Sequence, residues 1–275
     1  MSLSLDSRVT LNDGNRMPVL GLGVWQAAAG KETRKAVEVA LEVGYRLIDT
    51  AKLYGNERDV GAAVRESGVP REEVFVTTKL WNSDHGYEAA LKAFEKSRHD
   101  LGLDYIDLYL IHWPVPGLRH DSWKALLKLH DQGLARSIGV SNYTIRHLEE
   151  LLTAAPAPPS VNQVEFHPFL FQQDLLAFCK EHGIQLEAYS PLARGRRLKH
   201  PVITELAAKY ARTPAQIMIR WSLQHGLVVI PKSVRPERIR ENAAVFDFEL
   251  RREDMARLDG LDERAHVAWN PDDLP

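Results

Sequence analysis

The sequence predicts a single (β/α)8 barrel of the TIM type with an N-terminal β-hairpin at its bottom, and three observations carry that expectation. Strand-like and helical stretches alternate eight times after Pro18. The strand stretches are apolar nearly throughout, as expected of a parallel sheet covered by helices. Eight such units in 275 residues leave roughly 34 residues each, the size of a βαβ step. A doubly wound sheet would alternate in the same way but favours a Gly-x-Gly-x-x-Gly turn after its first strand. Gly21-Leu22-Gly23 has no third glycine before the helix, so the barrel is preferred.

The elements follow in order. Val9-Thr10-Leu11 and Arg16-Met17-Pro18 flank Asn12-Asp13-Gly14-Asn15, whose Asp-Gly pair suits a tight hairpin turn. Strands are expected at Val19–Val24, Tyr45–Asp49, Val74–Lys79, Ile106–His112, Ala135–Val140, Val161–Glu165, Gln185–Tyr189 and Leu227–Pro231. Between them, Ala36, Val39, Ala40 and Val43 recur at helical spacing, as do Ala90, Leu91, Phe94, Ser97 and Leu101. Further helices are expected from Glu57 onward and over Trp123–Asp131, Ile145–Leu152, Asp174–Glu181, Val202–Tyr210 and Pro236–Ala244, where Pro236 fits a first helical turn. Ala154–Pro159 joins a helix to the next strand and is too short to separate domains, so residues 1–275 should form one unit. The tail from Asp262 to Pro275 lacks periodicity and is expected on the surface, with no obvious place for Trp269.

With 44% hydrophobic and 26% charged residues the chain is of ordinary globular composition and can bury a large core. Its net charge of −2 gives no global basic field for nucleic acid or an anionic membrane. No window approaches ~18 uninterrupted apolar residues, so no membrane span is expected. No basic segment followed by an apolar stretch opens the chain, which predicts no signal peptide and a cytoplasmic protein. The single cysteine, Cys179, excludes an internal disulfide and a cysteine-based zinc cluster; it lies on an apolar helix face, and no metal site is expected.

A parallel barrel gathers the C-terminal ends of its strands on one rim, where catalytic groups sit. Asp49, Lys79 and His112 end three successive strands, and Tyr54 follows the first of them in the next loop. A buried lysine needs a counter-ion, and Asp49 is the nearest acid. Lys79 beside Tyr54 should lower the phenol from its reference value near ~10 and make it a proton donor. His112 would orient a substrate oxygen as a neutral donor. Such a site protonates an oxygen that gains negative charge, but it lacks an electron source.

The motifs around these residues resemble the signature of the aldo-keto reductases. They are Gly44-Tyr45-Arg46-Leu47-Ile48-Asp49-Thr50-Ala51, Tyr54-Gly55-Asn56-Glu57, Thr77-Thr78-Lys79-Leu80-Trp81, Leu110-Ile111-His112-Trp113-Pro114, Ile138-Gly139-Val140-Ser141-Asn142 and Ile230-Pro231-Lys232-Ser233. The resemblance runs in register from about Val9 to about Leu258, and its compact form is similar to bacterial 2,5-diketogluconate reductases and mycobacterial aldo-keto reductases. It implies a barrel using NADPH/NADP+, with Tyr54 as proton donor, Lys79 and Asp49 tuning it, and His112 orienting the substrate. The missing electrons are then the nicotinamide hydride.

The resemblance also implies a cofactor site. Ser141, Asn142 and Gln163 match the positions that hold the carboxamide, and Tyr189 the ring that stacks on the nicotinamide. Ser190 and Leu192 would line the cofactor channel. The run Ile230, Lys232, Ser233, Val234 and Arg238 leads into a helix whose start suits the 2′-phosphate of NADP, and Glu241 and Asn242 match adenine contacts. Arg194, Arg196 and Arg197 either reach the pyrophosphate or are solvated.

Trp25, Trp81 and Trp113 follow the first, third and fourth strands and should wall the substrate pocket with His112. The short connection from Val115 to Asp121 predicts an open pocket for small-molecule carbonyls: aldehydes, ketoacids and dicarbonyls. Lys52 departs from the family's usual small residue and is expected to point to solvent; pointing inward, it would lower Tyr54 further. The alternative to a monomeric reductase is a module of the same fold that senses NADP(H) for a partner.

Overall fold

In the computed structural model, residues 3–155 and 157–274 are described. Met1, Ser2, Pro156 and Pro275 lie outside that description, and with them one residue of the Ala154–Pro159 connection. The chain opens with an antiparallel hairpin of β1 (Arg8–Thr10) and β2 (Arg16–Pro18), turning at Gly14 with φ +86°. Eight parallel strands follow: β3 (Leu22–Gly23), β4 (Leu47–Asp49), β5 (Phe75–Leu80), β6 (Ile106–Ile111), β7 (Ala135–Ser141), β8 (Val161–Glu165), β9 (Gln185–Tyr189) and β10 (Val228–Val229). Each pairs with the next in sequence. Parallel bridges from Leu20 to Val229 and from Gly23 to Lys232 close the ring.

Two apolar layers result from the alternation of side chains along each strand. Leu47, Phe75, Leu108, Leu110, Val161 and Val228 form a cluster inside the barrel. Leu11 and Met17 of the hairpin join it, so the hairpin plugs the end at which the strands begin. Its turn is tied there by Asn15 Nδ2 donating to the Arg136 carbonyl at 2.9 Å and by Ser160 Oγ donating to Asp13 at 2.8 Å. The opposite faces, such as Ile48, Val76, Tyr109 and Val164, pack outward against the helices.

Those helices are α1 (Lys31–Val43), α2 (Glu57–Glu66), α3 (Tyr87–Leu101), α4 (Arg119–Asp131), α5 (Ile145–Ala154), α6 (Gln173–Glu181), α7 (Pro201–Tyr210), α8 (Pro214–Gln224), α9 (Pro236–Ala243) and α10 (Arg252–Asp259). Gly61 lets α2 approach the end of α3: a Cβ there would lie 1.8 Å from the Leu101 carbonyl oxygen. None of the described helices is long and apolar enough to cross a membrane.

Two helices, α8 and α10, go beyond the alternation expected from the sequence. Helix α8 is covered on nearly every side, with Ile217, Met218, Ile219 and Trp221 fully buried, and its polar stripe of Gln216, Arg220 and Gln224 is spent on the carbonyls of Ala244, Val245 and Leu250 instead of facing solvent. Its start was nonetheless written in Thr213-Pro214-Ala215-Gln216. Thr213 Oγ1 accepts from the Gln216 amide at 3.3 Å, the Gln216 side chain accepts from the Thr213 amide at 2.9 Å, and Pro214 occupies the first turn. Helix α10 has too few apolar residues to show a stripe.

Candidate active site

The pleat explains which strand residues reach the barrel interior. Leu47 faces inward and Ile48 outward, so Asp49 faces inward again. The same alternation turns Lys79 inward on β5, Gln163 on β8, and both Glu187 and Tyr189 on β9. Registered pairing sets Gln163 beside Ser141 and beside Glu187.

Lys79 is fully buried, and its Nζ donates to both Asp49 oxygens at 2.7 Å and to the Thr50 carbonyl at 2.9 Å. The Tyr54 hydroxyl lies 3.4 Å from the same nitrogen, and its ring centroid 5.1 Å away. The His112 ring meets Tyr54 edge-on at 5.8 Å and Trp81 at 5.2 Å between centroids. Four groups separated by up to 63 residues (112 − 49) thus share one end of the barrel.

The electrostatics correct one expectation. The Tyr54 phenol is raised well above its ordinary value, first by burial, then by the negative charge of Asp49, and then by Glu187 once that acid ionises above about pH 8. The Lys79 charge does not outweigh these effects, because it is shared with Asp49 through a bidentate contact. Burial likewise raises the Asp49 carboxyl, while Lys79 and the Gln163 amide draw it back. Burial and the nearby Lys79 charge hold His112 well below its usual value, so the ring is neutral.

A cavity of about 1000 Å³ opens over these groups. Over the catalytic candidates it is lined by Asp49, Tyr54, His112, Trp25, Trp81 and Trp113. Ser141, Asn142, Gln163, Tyr189, Ser190 and Leu192 line its middle, and Ile230, Lys232, Ser233, Arg238, Glu241 and Asn242 its far end. Four of the cofactor and catalytic candidates singled out from the sequence are not on that wall. Lys79 lies beneath it, the Val234 side chain packs on the helix-facing core, Arg196 is exposed, and Arg197 pairs with Glu263.

The middle of the cavity is prewired. Tyr189 donates to Asn142 Oδ1 at 2.8 Å, Asn142 Nδ2 to the His112 carbonyl at 3.0 Å, and Ser141 Oγ to the Gln163 carbonyl at 2.8 Å. Gln26, Asn142, Ser190 and Arg194 line it with φ of 58°, 61°, 48° and 52°, backbone strain of the kind that collects at functional sites. At the far end, Lys232 and Arg238 have no carboxylate partner among the described residues, and Arg238 sits in the first turn of α9. Two unpaired cations at a helix start, with a hydroxyl on Ser233, form a donor set that fits a phosphate.

Other wall residues were not anticipated. Thr213, Pro214 and Ala215 open α8 beside the far end, and Thr213 Oγ1 donates to Glu241 at 2.7 Å. Arg194 lies 4.4 Å over the Trp25 ring and lines the cavity wall while remaining exposed to solvent. Lys52 neither floats in solvent nor turns toward Tyr54: it pairs with Asp84. The tail folds back over the rim, where Val267, Ala268 and Trp269 line the cavity. Trp269 stands 5.6 Å from Trp113 and 6.4 Å from Trp81 between ring centroids.

Glu187 is the buried acid that the motif reading passed over. Its signal was an ionisable residue inside Leu186-Glu187-Ala188-Tyr189, two places before Tyr189 and therefore on the same inward face. Burial and the Asp49 charge push its carboxyl up to about 8.

The model of the aldo/keto reductase family matches residues 19–263. A glyoxal reductase of Bacillus subtilis is 53% identical over 274 residues, covering 100% of this chain and 99% of its own. A 9,11-endoperoxide prostaglandin H2 reductase of Trypanosoma cruzi is 54% identical over 269 residues, covering 97% and 95%. Among solved structures, a Bombyx mori aldo-keto reductase in complex with NADP superposes with a TM-score of 0.92 at 38% identity, covering 100% of this chain and 99% of that one.

Proposed function

The chain belongs to the aldo/keto reductase family, and from that premise we propose that it reduces aldehydes, ketones and dicarbonyls to alcohols with NADPH, Tyr54 serving as proton donor. The observation that carries the reading is the buried Lys79–Asp49 pair under the Tyr54 hydroxyl, open to a cavity long enough to run from that hydroxyl to two free cations. NADPH, when bound, supplies the hydride. Ser141, Asn142, Gln163 and Tyr189 would hold its nicotinamide end, and Lys232, Ser233 and Arg238 its 2′-phosphate.

The chain's own groups then handle the proton. His112, neutral and on the cavity wall, orients the carbonyl oxygen. Tyr54 keeps its proton in the resting site because burial, and then the Asp49 charge, oppose a phenolate there. As negative charge grows on the carbonyl oxygen, that oxygen becomes the stronger base and takes the proton. Lys79, 3.4 Å away, stabilises the phenolate left behind. The walls of Trp81, Trp113 and Trp269 exclude water from the apolar end. Relatives of nearly equal identity are named for glyoxal and for a prostaglandin endoperoxide, so identity does not choose the carbonyl. The short rim favours small aldehydes and dicarbonyls. We extend the reading to one catalytic domain over residues 1–275, acting as a cytoplasmic monomer.

The test is NADPH oxidation with a panel of aldehydes, dicarbonyls and ketoacids. Tyr54→Phe should lose at least about a hundredfold in kcat, the usual worth of a general acid, while still binding NADPH; unchanged kcat would remove Tyr54 from the mechanism. Arg238→Ala should weaken NADPH by roughly tenfold or more and leave NADH nearly unaffected, consistent with loss of a charge-assisted contact. Equal losses for both cofactors would refute the 2′-phosphate site.

A further inference from the structure

Gln163 holds its side chain in an unusual setting, because both hydrogens of its Nε2 point at carboxylates. One goes to Asp49 Oδ2 at 2.8 Å and the other to Glu187 Oε2 at 2.8 Å. No hydrogen bond reaches its Oε1 among the described residues, and Gln163 lines the cavity. The opposite amide orientation would set that oxygen against the ionised Asp49 carboxylate. A single hydrogen bond gives an amide a pivot; a second on the other hydrogen fixes its plane.

Glu187 supplies the second anchor at a cost. It is fully buried, and its Oε1 has no partner. An acid buried with an empty oxygen is unfavourable unless it serves a purpose, and an apolar side chain would fill the barrel more cheaply.

We propose that Glu187 is a positioning residue for the nicotinamide: by taking one Nε2 hydrogen of Gln163 while Asp49 takes the other, it leaves the Gln163 carbonyl oxygen as the atom offered to the carboxamide amine. The inference rests on the NADPH reading above. Its chemical content is a preference for a cofactor that carries a donor on that substituent. The 3-acetylpyridine analogue of NADP+, which has a methyl group in place of the amine, cannot make the contact.

Binding of NADP+ and of this analogue to the full-length protein, followed by calorimetry, tests the idea without turnover. The wild-type protein should prefer NADP+ by about tenfold, the worth of one hydrogen bond to a neutral group. Glu187→Met, which removes the acceptor, should bring that ratio below about threefold through weaker NADP+ binding. Glu187→Gln keeps an acceptor oxygen and should restore most of the preference, which a merely space-filling role would not require. Glu187→Val stands in for the methionine variant should that one fail to fold. Gln163→Leu should lose the same preference, and adding Glu187→Met to it should change the ratio no further.

A wild-type ratio near one, or a Glu187→Met protein as selective as the wild type, overturns the proposal while leaving the reductase reading intact. Failure of the wild-type protein to bind NADP+ at all would overturn both.

Discussion

Glu165 ends β8 and Glu187 lies on β9 beside it, and both are buried, with exposures of 2% and 0%. Burial pushes each carboxyl up, but only one stays up. Glu165 receives His167 Nε2 at 2.9 Å and the amides of Val267 and Ala268 at 2.7 and 2.9 Å, with His266 3.7 Å away, and these donors pull it down to about 2. Glu187 receives one Gln163 hydrogen and faces the negative Asp49, so it rises to about 8. The charge of a buried acid is therefore set by the number of donors around it rather than by its depth. The two acids also differ in use. The charged Glu165 clamps the tail that carries Trp269 over the rim, and Glu187 lies against Gln163, which also holds Asp49.

That contrast has opposite signs in pH. Folded Glu187 holds its proton up to about pH 8, whereas the unfolded chain releases it near the ordinary value of 4.5. The folded state binds more protons between these limits, so the Glu187 contribution falls as pH rises through them, by up to roughly 5 kcal/mol. Glu187→Gln, compared with wild type in urea unfolding from pH 5 to 8.5, should gain relative stability as pH rises. A constant difference across that range would erase the contrast.

Glu165 runs the other way. Its depressed value gives stability that is present above about 4.5 and lost as pH falls toward 2, roughly 3 kcal/mol in all. Glu165→Ala should cost about 3 kcal/mol at pH 7, because it strands His167 and two tail amides, and the loss should shrink on acidification. An equal loss at pH 3 and pH 7 would mean that the clamp does not depend on the carboxylate charge.

The smallest effect separates the clamp from what it carries. Trp269 is 66% exposed, so Trp269→Ala should alter stability by no more than about 0.5 kcal/mol. It should raise KM for an aromatic aldehyde severalfold with kcat preserved, since its ring packs beside Trp81 and Trp113 and not on Tyr54. A fall in kcat with unchanged KM would place Trp269 in the chemistry instead of on the wall.

The rim was legible in the sequence because strand ends are local. Asp49, Lys79 and His112 each follow an apolar strand run, and a parallel barrel brings such ends together whatever their spacing. Strand edges were less legible: β3 and β10 are only two residues long, where longer runs were expected. There the bridges that close the ring replace extended pairing. Helix α8 was hidden by its own burial, although its capping box was in plain sight. Trp269 had no periodic neighbours to place it, because the tail is held by Glu165, about a hundred residues earlier in the chain.

By itself, the sequence determined the alternation of strand and helix, the inward face of each strand, and hence which polar residues crown the barrel. These depend on neighbours two to four residues away, the range over which pleat and helical turn act. The tertiary structure decided the protonation of those residues. Tyr54 is raised where a cation was expected to lower it, first because its hydroxyl is buried, and then because Asp49 sits beside it and offsets Lys79. It also decided that one of two buried glutamates is charged and the other is not. Desolvation and Coulomb interactions act through space, between groups that the chain alone keeps far apart.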